Sequence, residues 1–110
     1  MEICVEFVNG RLAISPDPAV VTVDTPIVWF IRGSRLALGR LQWTIYFHHG
    51  TPFPDGLASV TAATVGDHSG ATTLGPAVKP GDYKYGVSVG DAETGELLGD
   101  DDPRLIVRPR

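Results

Sequence analysis

The chain reads as an all-β protein, one antiparallel β-sandwich of about seven to nine short strands. Three observations lead there. Short β-branched and aromatic runs recur at roughly 8–12-residue intervals. Thirteen Gly and nine Pro punctuate them. No long stretch carries a helical apolar period, so a helical crossover between parallel strands is not expected. The 110 residues leave room for one domain, residues 1–110, and one core.

The elements follow in order. Ile3, Val5 and Phe7 alternate with Cys4 and Glu6, which makes a half-buried first strand. Asn9-Gly10 is a hairpin signal because both residues tolerate positive φ. Leu12 and Ile14 continue the alternation until Ser15-Pro16-Asp17-Pro18 breaks it. Val21 and Val23 lead through Asp24-Thr25-Pro26 into Ile27-Val28-Trp29-Phe30-Ile31, apolar at every position and expected to be covered on both faces. Residues 33–40 form a connection. In the next strand Leu41, Trp43, Ile45 and Phe47 point one way, and Gln42, Thr44 and Tyr46 the other. His48 to Gly56 is loop, 57–65 a weak strand of small side chains, 66–70 a turn, and Ala71 to Leu74 a short edge strand. After Pro80-Gly81, Tyr83, Tyr85, Val87 and Val89 face inward against Asp82, Lys84, Gly86 and Ser88. Glu93-Thr94-Gly95-Glu96 turns the chain, and Asp100-Asp101-Asp102-Pro103 bends it into a last strand, Leu105 to Pro109. Tyr83, just after Pro-Gly, stands where a tyrosine corner would.

Two of these stretches carry a resemblance. Val21-Thr22-Val23-Asp24-Thr25-Pro26-Ile27-Val28-Trp29 with Pro80-Gly81-Asp82-Tyr83-Lys84-Tyr85 resembles the cupredoxin-like sandwich, a pattern shared in large part by immunoglobulin-like domains. The cupredoxin resemblance implies a copper-binding loop after the Tyr-x-Tyr strand. A blue-copper site needs a thiolate, two imidazoles and usually a weak axial ligand. Where the family places its Cys, this chain has Gly86-Val87-Ser88, and no His or Met follows. Copper electron transfer is therefore not carried over, and no cofactor is expected. The pairs Asp17-Pro18 and Asp102-Pro103 also resemble the uncharacterised bacterial DP-EP family, although no Glu-Pro pair is present.

Composition narrows the function classes. A net charge of −4 argues against nucleic acid, which needs a basic face. The longest apolar run, Ile27 to Ile31, is far short of a membrane span. A single cysteine excludes an internal disulfide. With no basic, apolar leader after Met1-Glu2, a cytoplasmic location is expected.

Few residues invite chemistry. His48, His49 and His68 are the only metal-like group, with Asp55 or Asp67 able to complete a site. Adjacent strand residues point to opposite faces, so His48 and His49 can share an ion only where the strand has ended. Asp91, Glu93, Glu96, Asp100, Asp101 and Asp102 supply oxygen ligands without calcium-loop spacing, and a solvated edge hairpin explains them better. Asp67-His68-Ser69 has the residue types of a hydrolase triad, but three consecutive side chains cannot converge on one proton-transfer line. Cys4 has no His or helix N-terminus beside it and reads as structural. Tyr46 and Phe53 are aromatics outside the core pattern, able to anchor a sugar or a protein, with Phe53 better read as a plug at the end of the barrel.

The expectation is a non-catalytic interaction or assembly module, with a protein partner or a second copy as ligand. Arg32, Arg35, Arg40 and the acidic Asp100, Asp101 and Asp102 are its contact residues. The alternative is a metal-binding sandwich using the loop histidines.

Overall fold

The structure is a computed structural model that describes residues 1–8, 11–32, 41–64 and 69–110. Eleven strands are present among them: β1 (Glu2–Val8), β2 (Arg11–Ser15), β3 (Ala19–Thr22), β4 (Pro26–Arg32), β5 (Leu41–Tyr46), β6 (Ser59–Ala63), β7 (Ser69–Pro76), β8 (Gly81–Lys84), β9 (Gly86–Asp91), β10 (Leu97–Asp101) and β11 (Arg104–Arg108). They exceed the seven to nine expected because one long run is broken where the chain changes sheets and the acidic segment adds a strand. The run expected from Tyr83 to Val89 stops at Tyr85, so β8 and β9 belong to different sheets. The acidic segment expected as a bend contains a strand of its own, β10.

The sheets have orders β2-β1-β4-β7, β10-β9-β5-β6 and β3-β11-β8. Six pairings are antiparallel. Two are parallel, β1 with β4 and β3 with β11. The sheets are thus mainly antiparallel, as expected, and the two parallel pairings arise where the first and third strands meet partners distant in sequence. The β9–β10 and β8–β11 pairs are successive lengths of one long hairpin, joined at Tyr85, whose N–H donates to the Pro103 carbonyl at 3.0 Å. The second and third sheets therefore run on from each other and together oppose the first.

Period-two alternation decides what is buried. Ile3, Val5 and Phe7 from β1, Ile27, Trp29 and Ile31 from β4, and Leu41, Trp43 and Ile45 from β5 all turn inward. Tyr85, Val87, Val89, Leu105 and Val107 line the same core, Val87 and Val89 standing beside β5 in the second sheet. Burial of such side chains contributes about 1.5–3 kcal/mol each, the dominant favourable term. β4 is central in its sheet, but only one of its faces is covered: Val28 is half-buried and Phe30 is 36% exposed. Phe30 follows the pleat, which turns alternate residues outward whatever their polarity.

The turns behave as their residues require. Asp91 accepts the N–H groups of Glu93 and Thr94 at 2.8 and 3.2 Å, and Gly95 takes φ +77°, which an L side chain would resist. The Tyr83 hydroxyl donates back to the carbonyls of Lys79 and Pro80 at 2.9 and 3.2 Å, a tyrosine corner. Phe53 is buried, edge-on to Trp29 and Phe47 at 6.0 and 5.4 Å, and plugs the core as expected. The one helical turn described, Pro54–Gly56, follows it.

Candidate functional site

β5 ends at Tyr46, and that ending shapes the histidine loop. Phe47 still turns inward and is buried. Beyond it the alternation lapses, so His48 and His49 need not part. His48 lies 5.2 Å from the Tyr46 ring, and the His49 ring is 4.4 Å from that of His48, edge-on. Both imidazoles are exposed. The structure thus brings together two of the three predicted metal ligands. His68 and Asp67 lie outside the described residues, and Asp55 sits exposed in the Pro54–Gly56 turn. Among the described residues no group of three His, Cys, Asp or Glu side chains gathers as a metal site.

Tyr46 has a firm seat. It pairs with Gly86 across β5–β9, and its ring lies on that glycine so closely that a Cβ there would fall 2.1 Å from Tyr46 Cζ. Burial, with smaller contributions from the Asp102 and Asp100 carboxylates, pushes the Tyr46 hydroxyl above the ordinary phenol range. Further along the same outward face Gln42, Thr44, Ser88 and Gly90 border a cleft of about 230 Å³, closed by Asp91, Gly95 and Leu97. This cleft was not anticipated, since it depends on the β5–β9–β10 register and no single residue announces it.

The charged candidates are separated. Arg32 ends β4 on the outward face of the first sheet, opposite Glu6 of β1. Asp100 and Asp101 lie in β10, and Asp102 follows directly, in the opposing layer. Asp101 accepts the Asp102 N–H at 2.8 Å. Arg35 and Arg40 fall outside the described residues. The ion pairs among the described residues are Arg104 with Asp82 and Arg110 with Asp24, so neither Arg32 nor the three aspartates is engaged in one there.

A blue-copper centre does not fit these donors. The sole thiol, Cys4, sits half-buried on the outward face of β1, 3.9 Å from a Glu6 carboxylate oxygen. Desolvation and the Glu6 charge push its pKa up, against the thiolate that copper requires. His48 and His49 belong to the other layer. Between the layers the core is filled by aromatics: Phe47 stacks on Tyr85 at 4.8 Å, and Trp29 Nε1–H donates to the Tyr85 hydroxyl at 3.3 Å.

No family model matches the chain, and no curated protein matches it. The resemblance to the DP-EP family therefore has no support. Among solved structures, auracyanin B is similar over 99% of this chain and 88% of its own, with a TM-score of 0.53 at 15% identity. A multicopper oxidase, mgLAC, aligns over 99% of this chain and 38% of its own, with a TM-score of 0.48 at 12% identity. The likeness to auracyanin B shows a cupredoxin-like β-sandwich and extends to the fold alone. Among the described residues no helix is long and apolar enough to cross a membrane.

Proposed function

We propose that this cupredoxin-like sandwich is a non-catalytic binding module that acts through surface complementarity. The observation that carries the reading is the placement of charge. Arg32 and the Asp100–Asp102 group occupy opposite layers and form no ion pair among the described residues, which leaves their charges to an outside partner. A cation on one layer and an acidic group on the other suit heterologous contact with a second copy or with a partner of matching pattern. Native mass spectrometry of untagged protein, purified without chelator, tests this. Association should be present and should be lost on Arg32→Glu, on Arg35→Glu with Arg40→Glu, or on Asp100→Lys with Asp102→Lys, each variant keeping its fold. A monomer that captures no partner, or association indifferent to all three, removes these residues from the reading.

A second reading rests on the His48–His49 adjacency. Two neighbouring neutral imidazoles can hold a divalent ion such as Zn²⁺, with the remaining positions taken by water or another side chain. Zn²⁺ titration by calorimetry should then give one site per chain that His49→Ala abolishes.

A further inference from the structure

The third sheet, β3-β11-β8, turns an uncovered face outward. Alternation sends Leu105 and Val107 of β11 to the core and leaves Arg104, Ile106 and Arg108 on the outer side. Val20 of β3 and Lys84 of β8 flank them, and Asp82 of β8 holds Arg104 in an ion pair. Asp17, at the border, accepts the Arg104 backbone N–H at 3.0 Å. Lys84 and Arg108 form no ion pair among the described residues. The face therefore sets two uncommitted cations around an apolar centre, half-buried Ile106 and Val20, the latter 41% exposed.

The opposite pattern stands at the far end of the same long hairpin. No basic residue occurs between Asp91 and Asp102. Asp91 is committed to its turn, but Glu96 and Asp100 are exposed and form no ion pair among the described residues. Leu97, beside Glu96, is 62% exposed. Strands advance about 3.4 Å per residue, so β8 and β9 carry the chain about 34 Å from Gly81 to Asp91. That is most of the molecule's longest dimension, 44 Å. Charges are screened beyond about 8–10 Å at ordinary salt. The two ends of one molecule cannot neutralise each other, and the complement that each lacks is present on another copy.

We propose that the outward face of the third sheet receives the β9–β10 hairpin of a second copy. Leu97 meets Val20 and Ile106, while Glu96 and Asp100 face Arg108 and Lys84. The contact is heterologous, so each added copy leaves one hairpin and one face open, and growth runs head to tail without a fixed end. The inference rests on the self-association proposed above and gives it a cationic surface in the layer opposite Arg32.

Sedimentation velocity of the intact chain from about 10 μM to about 1 mM covers the affinities that such a contact reaches. In about 20 mM salt the mean mass should climb with concentration past the dimer, and in about 500 mM salt it should fall towards the monomer. Lys84→Glu with Arg108→Glu, and separately Glu96→Lys with Asp100→Lys, should each weaken association about tenfold or more with the circular dichroism spectrum unchanged. Mixed in equal amounts, the two variants should associate again, because each offers the charge that the other lacks. Arg11→Glu, at an exposed cation of the first sheet, should change nothing. Association that stops at a dimer, ignores Lys84 and Arg108, or fails to return in the mixture overturns the inference and leaves the reading above to stand on Arg32. A chain that stays monomeric throughout overturns it as well, and the module reading then depends on a partner of another kind.

Discussion

Replacing Gly86 by alanine places a methyl group 2.1 Å from Tyr46 Cζ and 2.3 Å from Cε2, distances that no pair of carbons tolerates. The ring must leave its seat, and a half-buried aromatic loses its contact with β9. Such overpacking costs about 1–3 kcal/mol. Where nothing obstructs the new Cβ, the same substitution is worth about 0.4–1 kcal/mol in favour of the folded state, because it restricts the unfolded chain. Gly86 has no positive φ to forbid alanine. The sign of the effect therefore depends on Tyr46 alone. Gly86→Ala should destabilise the natural chain and be neutral or stabilising in a Tyr46→Thr background, a coupling of about 2–3 kcal/mol. Urea denaturation followed by Trp29 and Trp43 fluorescence, with unchanged m-values, measures all four corners of the cycle. An alanine equally costly in both backgrounds would refute the argument, since the strain would then lie in the backbone and not under the ring.

Further outcomes follow from the same geometry. Tyr85 is fully buried, and burial pushes its pKa up to about 12, the hydrogen bond from Trp29 pulling weakly the other way. The neutral phenol is favoured in the fold, so this stabilisation of about 2–3 kcal/mol is complete below the ordinary phenol value near 10 and lost as pH rises towards 12; melting temperature against pH should fall through that window, and a flat profile would remove Tyr85 from the account. Phe53→Ala should cost about 3–5 kcal/mol, read by denaturant midpoint, because it opens a cavity between Trp29 and Phe47. Tyr83→Phe should cost about 0.5–1.5 kcal/mol by the same measure through loss of the corner hydrogen bond. Sedimentation analysis of Asp100→Lys with Asp102→Lys should show association gone with stability held, because both carboxylates are exposed.

Much of the fold was legible because alternation records burial directly. Leu41, Trp43, Ile45 and Phe47 face inward as their spacing requires, and so do Ile3, Val5 and Phe7. Apolarity without alternation misled at Ile27–Ile31, where Phe30 lies on an open sheet face beside Cys4. Sheet switching was illegible for a different reason. Tyr85 keeps the inward parity of its run, so nothing in the pattern marks that its hydrogen-bonding partner changes from β11 to β5. The candidate site shows the same division. The strand end that lets His48 meet His49 follows from Gly50 and the prolines beyond it, but the cleft of Gln42, Ser88 and Asp91 depends on register across three strands. Register is fixed by the whole core and by no local signal.

The parallel pairing of β3 with β11 also bears on how the chain reaches this structure. β11 lies between β3 and β8, yet it is the last strand in sequence. Its two flanking strands cannot complete their ladder until it arrives, so during synthesis they wait with open edges. Closing that sheet joins residues near opposite ends of the chain, and large loop closures slow folding. The first sheet is different, because β1 and β2 form a local hairpin that can appear early. Folding is therefore expected to run from the first hairpin towards a late, concerted insertion of residues 104–108, with the unpaired β3 and β8 edges as the interval most exposed to aggregation.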